Sequence, residues 1–381
     1  MNKEICLLGF IDKEKREKIG YYLFFAGIML ELLVMVTDNA ANFTIPYRGR
    51  LTHVAFLLFC IKILFTKYKV KEWLTLISLT FIACISYLTC DDEYVIRVIA
   101  FLFAAKGIEL DRIFRVILVS LFISTLVIAV LSLFNISGRL METRHFGRGE
   151  VETRYMFGFN HANNVHDILW FMFSLIIMIK KEKLKNLEII LFGIANVVLY
   201  MFTRSRTGFI AIMILVLLIL FIKIFNEAIS SCIVSIISIV SLVCTMGLTL
   251  HASYYNIYTS RLVNILDPYL TGRLQMLTEH AFIEDWTWFP EARSTEYVDN
   301  GFSTVFYCYG IVIGILLLIL IIKLIYILFV SRDDYLAIVL IGIILVLFME
   351  STFIINVSLL FNMLILIAAD VVWKDDRIND N

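Results

Sequence analysis

Four short clusters hold the residue types that phosphate binding and proton transfer require. Arg154 is followed by Gly158, Asn160, His161, Asn163 and Asn164. Thr203-Arg204-Ser205-Arg206-Thr207-Gly208 places two arginines in one tight stretch. Thr271-Gly272-Arg273-Leu274 and Asp299-Asn300-Gly301-Phe302 complete the set. Arginine offers a planar fork of donors that grips a phosphate or carboxylate at two points, whereas lysine is a flexible point charge. A phosphate-bearing or acidic ligand is held by such donors, and Arg204, Arg206 and Arg273 are suitable in type. Histidine is the usual proton shuttle near neutral pH. Each of these residues also has an ordinary alternative. An arginine in a turn can pair with lipid headgroups, a lone histidine is commonly a structural hydrogen-bonder, and Asp299 ahead of a helix can serve as its N-cap.

The elements that must position these clusters are membrane spans. The chain has 381 residues, 60% of them hydrophobic and 17% charged, with a mean hydropathy of +0.87. A soluble domain is roughly 45–50% apolar and about 25% charged. No soluble core could hide this excess. Formal net charge is zero, from 33 basic and 33 acidic residues, which gives no argument for a nucleic-acid partner. Most of the seven cysteines lie in apolar runs, and no Cys/His pair has metal-ligand spacing. They read as small buried hydrophobes.

With about 20 apolar residues needed per crossing, twelve spans are expected. They fall near 20–37, 51–66, 73–90, 94–107, 113–134, 164–180, 187–203, 206–223, 229–250, 301–329, 335–350 and 355–373, the last two parted by a polar break around 350–356. The first apolar run follows Lys13, Lys15, Arg16 and Lys18, lacks a cleavage site, and reads as a transmembrane helix. Alternating the connecting segments puts every lysine on the side of the N-terminus. The basic residues of the opposite side, among them Arg139, Arg144, Arg148, Arg261 and Arg293, are all arginines. The positive-inside rule then makes both termini cytoplasmic. His145, His161, His166, His251 and His280 fall in or beside the outer loops, and His53 lies near an outer span end.

Two outer loops are large, 135–163 and 251–300, and read as functional. The second places Leu274, Leu277, Ala281 and Phe282 at helical spacing before Trp286 and Trp288, a pattern suited to a helix lying in the membrane interface. Within spans, Glu31, Arg97, Asp167 and Glu350 are costly in lipid and are functional candidates. With three prolines, and glycines mostly at loop edges, no broken helix is expected, which favours a site at the outer face over a path through the membrane.

The four clusters, in this order and on this layout, resemble the O-antigen and capsule repeat-unit polymerases (the Wzy type) and the related O-antigen ligases. The resemblance covers residues 140–320. The family's arginine with a glycine eleven positions later is met by Arg261 and Gly272, while the first large loop has no such pair. It implies an all-α, polytopic, GT-C-like membrane glycosyltransferase that forms a single transmembrane domain. Its substrates would be undecaprenyl-diphosphate-linked oligosaccharides, and its reaction would need neither metal nor cofactor. A flippase and a chain-length regulator are the implied partners. Catalysis would fall to Asp299, Arg206 and Arg273, and substrate contact to Arg204, Arg154, His161, Arg261 and His280. Related ligases carry histidine where this chain has Asp299, so the base is either Asp299 or a nearby histidine such as His161. The alternatives are a ligase that transfers finished glycan to another acceptor, and a transporter of lipid-linked saccharide.

Overall fold

The computed structural model describes residues 4–41, 45–145, 151–225, 227–290, 298–351 and 357–373. Lys3, Arg148, Arg293, Lys374 and Arg377, counted in the charge pattern above, lie outside them, as do both chain ends and residues 352–356 of the expected polar break. The described chain is mainly helical. Long helices run over Lys13–Asn39 (α1), Arg48–Leu64 (α2), Val70–Cys90 (α3), Leu110–Leu133 (α5), Ala162–Lys180 (α6), Asn186–Thr203 (α7), Arg206–Ile222 (α8), Glu227–Tyr254 (α9), Ile311–Val330 (α13) and Asp334–Met349 (α14). Shorter ones are Tyr94–Ala104 (α4), Arg261–Leu266 (α10), Arg273–His280 (α11), Gly301–Thr304 (α12) and Met363–Val372 (α15). Two small antiparallel sheets depart from an all-α chain. Glu4–Ile5 (β1) pairs with Tyr68–Lys69 (β2), and Met141–His145 (β3) pairs with Val151–Tyr155 (β4) in the first large loop.

Among the described residues, seven helices are long and apolar enough to cross a bilayer. Burial across the bundle, the shorter apolar helices included, fits that reading. α14 is apolar all round and almost wholly buried among α6, α8, α9, α13 and α15, as a central helix should be. Peripheral α3, α5 and α7 instead turn Leu74, Ile77, Phe81, Phe122 and Leu191 outward. In water this continuous apolar surface would drive aggregation; in lipid it costs nothing. The chain is a polytopic membrane protein.

Charge sorts the two ends of the bundle. Lys106 pairs with Glu72 at 2.6 Å, Lys181 with Asp333 at 2.6 Å, and Lys62 donates to the Lys106 carbonyl, all at the lysine-rich turns. At the other end Arg48 pairs with Asp38, His53 meets Glu93 at 2.5 Å, and Asn160 Nδ2 donates to the Asp38 carbonyl.

Unbroken helices are not what the chain forms. The expected span over 301–329 is α12, a wide π turn at Val305–Tyr309, a break at Gly310, and α13. Gly310 has φ 93°, and a Cβ there would lie 2.5 Å from the Trp288 carbonyl oxygen. Ile311 N–H donates to the Thr287 carbonyl, so the preceding loop fills the break. The expected span over 355–373 is a 3₁₀ turn at Leu359–Phe361 and then α15. α4 and α15 have 11 and 10 residues, roughly half the ~30 Å hydrocarbon thickness at 1.5 Å per residue. They run side by side in the same direction, tied by Asn362 to Tyr94 and by Trp373 to the Leu102 carbonyl.

Glu31 and Arg97, candidates by type, explain how such a break is tolerated. Arg97 Nη2 donates to Glu31 at 2.8 Å and to the Val357 carbonyl at 2.9 Å. The other Glu31 oxygen accepts from Leu359 N–H at 2.8 Å. Ser358 Oγ donates to the Glu31 carbonyl. This buried pair supplies the hydrogen bonds that a helix would otherwise have given the backbone at this depth.

Candidate functional site

The first cluster is set by a turn that fits only glycine. Gly158 has φ 85°, and a Cβ there would lie 2.9 Å from the Ile128 carbonyl oxygen. That close approach brings Phe159 into a bridge with Ala40, and Asn160 N–H to the Asn39 carbonyl. His161 then caps α6, its Nδ1 accepting from Asn163 N–H at 3.1 Å. Burial, then the positive charges of Arg154 and Arg144, hold the His161 imidazole below the ordinary histidine range. Arg154 is buried and forks onto Glu152 from Nε at 3.0 Å and Nη2 at 2.9 Å.

The second cluster joins α7 to α8 through Arg204, which takes the left-handed conformation at φ 55°. Gly208 packs against His166, where a Cβ would lie 2.6 Å from the histidine Cβ. His166 is itself held by Thr203 Oγ1 at 2.8 Å and Asn196 Oδ1 at 2.9 Å. This histidine is a tie between α6 and α7, not a free shuttle. Arg204 and Arg206 are exposed.

The third and fourth clusters meet the first two. Asp267 caps α11 by accepting from Leu274 and Gln275 N–H at 2.9 and 3.0 Å, which presents Arg273 at the start of the helix. Arg273 Nη2 lies 2.8 Å from Asp299 and 2.8 Å from Glu350. Its Nη1 donates to Thr207 Oγ1 at 3.2 Å and to the Met349 carbonyl. Asn163 Nδ2 donates to Glu350 at 3.3 Å. Asn300, not Asp299, caps α12, accepting from Ser303 N–H at 2.8 Å. Its amide also donates to the Phe348 carbonyl at 2.9 Å. Asp299 is thereby left to face Arg273.

One guanidinium therefore joins residues from all four clusters. Because both carboxylate oxygens sit 2.8 Å from the same nitrogen, they are held close to each other. Asp167, buried one turn into α6, lies within electrostatic reach of Arg273 and Asp299, and His161 within reach of Asp299 and Arg154. Glu350 is nearly buried, while Asp299 keeps some access to the surface.

Other expected members stand apart. His280 is the last residue of α11, at the opposite end from Arg273, and is exposed. Arg261 opens α10 and is exposed. Thr207 and Asn163 were visible only as motif letters. Glu350 and Asp167 carried a signal as charges within spans, without any sign of their common partner. The expected interfacial helix is also corrected: Leu274, Leu277 and Ala281 pack with Ala252, Val263 and Val298 in a second, outer core. Trp286 stacks on Phe306 with ring centres 4.9 Å apart.

No protein-family model matches the chain, and no curated protein or solved structure matches it. Fold and site define its class: a polytopic membrane protein with an ionic cluster at the arginine-rich end of its bundle.

Proposed function

We propose that this protein joins undecaprenyl-diphosphate-linked oligosaccharide repeat units at the outer face of a cell membrane. In this reading it is a GT-C-like glycosyltransferase that crosses the bilayer about twelve times, with both termini cytoplasmic. The observation that carries the proposal is the convergence of four sequence-distant clusters on Arg273, which joins Asp299, Glu350 and Thr207 directly and Asn163 through Glu350.

The geometry divides the work. Arg273 is already engaged by two carboxylates, with a third nearby, so it orients acids rather than drawing in a diphosphate. That task falls to Arg204 and Arg206, which are exposed beside Thr207. Asp299 takes the proton of the acceptor hydroxyl, and that oxygen bonds to the anomeric carbon of the donor. The bond from that carbon to the diphosphate breaks, and its electron pair leaves with the lipid diphosphate, stabilised by the two arginines. His161 is the alternative proton acceptor, at Nδ1, and taking the proton there would release the hydrogen bond that Nδ1 accepts from Asn163 N–H.

The transport alternative gains one observation, since helix breaks at Gly310 and after Met349 are what it requires. One experiment separates the readings: the glycan profile of a deletion strain complemented with wild type, Asp299→Asn or Arg206→Ala. Polymerase predicts single lipid-linked units on the outer leaflet in the deletion, with neither normally expressed variant restoring long chains. Long lipid-linked polymer that never reaches its final acceptor would identify a ligase. Units trapped on the inner leaflet would identify a transporter, and an unchanged profile would refute all three.

A further inference from the structure

The turn between α9 and α11 is built to display apolar side chains. Leu262 and Ile265, three residues apart, share one side of α10, and Tyr258 and Tyr269 flank it in the turns before and after. Tyr258, Leu262, Ile265 and Tyr269 are 86%, 49%, 51% and 77% exposed. Val263, on the opposite side, is fully buried in the outer core. Ser260 and Asp267 are buried, while Thr259 and Asn264 are exposed but hydrogen-bonded within the turn. Ser260 caps α10 through Val263 N–H and bonds His251 at 2.7 Å. Asn264 donates to the Ile257 carbonyl, and Asp267 caps α11. The exposed charge of this turn is Arg261, whose long stem can lie along an apolar surface with its guanidinium in the headgroups.

The height of the segment follows from α9. Its 28 residues span about 42 Å at 1.5 Å per residue, against a hydrocarbon core of ~30 Å and ~40–45 Å with headgroups. Its outer end, Tyr254, therefore reaches headgroup level. The outward apolar stripe of α9, through Ile236, Val243 and Leu250, leads to Tyr254 and on to Tyr258. Aromatic residues are enriched at this level.

We infer that residues 254–269 rest in the outer leaflet, with Tyr258, Leu262, Ile265 and Tyr269 at the boundary between headgroups and acyl chains. The occupant of this face is bilayer lipid. The inference rests on the membrane setting and on the length of α9, and stands whether or not the chain is a polymerase. It links the lipid surface to the ionic cluster in one rigid run: α10 leads to Asp267, Asp267 caps α11, and α11 presents Arg273. A substrate carried on a lipid would meet the cluster at the level where its headgroup travels.

The test places photoreactive benzoylphenylalanine at Tyr258, Leu262 or Tyr269 of the otherwise native full-length chain. The protein is reconstituted in vesicles containing radiolabelled phosphatidylglycerol and irradiated. Label should transfer at these positions about as well as at the lipid-facing Val243 of α9, and several-fold better than at the exposed Thr143 of the β3–β4 hairpin. Three positions are used so that loss of one variant still leaves a reading. Transfer no better than at Thr143 would overturn the inference. So would a cross-link between two protomers in place of the lipid adduct, which would make the face a contact between copies.

Discussion

Replacing Arg273 by lysine keeps the charge and removes the fork. In the native arrangement Nη2 serves Asp299 and Glu350, both at 2.8 Å, while Nη1 serves Thr207 and the Met349 carbonyl. An ammonium at the end of a flexible stem can approach the two carboxylates but cannot also span to Thr207 and Met349. Two charge-assisted contacts are lost, at roughly 1.5 kcal/mol each from the low end of their usual range, or about 3 kcal/mol. Since ~1.4 kcal/mol is a factor of ten, polymer formation should fall by about 100-fold, with a lower melting temperature in detergent. Glu350→Gln removes a carboxylate contact that the lysine can still make. The double variant should therefore cost more than either single one, with a loss that departs from the sum of the two because both residues belong to one network. Chain-length profiles of membranes with matched expression give the first quantity, and thermal aggregation of the solubilised protein gives the second. Polymer within about twofold of wild type from Arg273→Lys, with an unshifted melting temperature, would refute the idea that the fork organises the site. Additive losses in the double variant would show that Arg273 and Glu350 act separately.

Because its folded-state pKa is lowered, His161 releases its proton more readily in the folded protein than in the unfolded chain. Its contribution to stability is therefore full above the unfolded value, about 6.5, and lost as pH falls through the lowered one. Melting temperature should drop on going from pH 7.5 to 5, and His161→Asn should drop less; equal losses would remove His161 from the cause. Gly208→Ala should destabilise by about 1–3 kcal/mol, read as lost folded protein, because the new Cβ would meet His166, which Thr203 and Asn196 hold in place. Glu31→Leu alone should lower stability by about 3–5 kcal/mol by stranding Arg97, while Glu31→Leu with Arg97→Met should recover part of it; no recovery would mean that the backbone bonds of Glu31 matter more than its ion pair. Cysteine labelling of intact cells should reach a probe at His280 but not at Lys69 or Lys183. The opposite pattern would invert the topology and remove the ionic cluster from the outer face.

Membrane residence was legible because it depends on summed apolar content, which needs no partner to interpret. The long helices α5, α7 and α9 fall where hydropathy placed them, within a few residues at each end, and α1 begins seven residues earlier than expected, in the charged stretch from Lys13. The breaks were not legible, and the reason is physical. Gly310 stands in an apolar run that reads as one span, and the space a side chain would fill is taken by the Trp288 carbonyl and Pro290, from a loop some twenty residues earlier. The gap before α15 is supported by Glu31 and Arg97, which lie more than 250 residues away in the chain. A pattern read along the chain cannot register a donor or acceptor that arrives from so far.

The site divides along the same line. Residue type and order singled out Arg273 and Asp299, and both are in the cluster. Type could not tell that Arg273 would be met by carboxylates before any substrate arrives. An arginine on the outer face reads as a phosphate grip as long as its neighbours are unknown. Glu350 changes that reading. It closes α14, nearly buried, and with Asp299 it gives Arg273 two carboxyl groups to hold. A diphosphate approaching such a cluster finds the guanidinium already taken up, while Arg204 and Arg206 stand exposed on the adjoining turn. In the proposed reaction, affinity for lipid diphosphate should therefore depend on Arg204 and Arg206, and turnover on Arg273, Asp299 and Glu350. That split is open to measurement as KM against kcat in the purified protein. An Arg206→Ala variant with unchanged KM and reduced kcat would reverse the assignment.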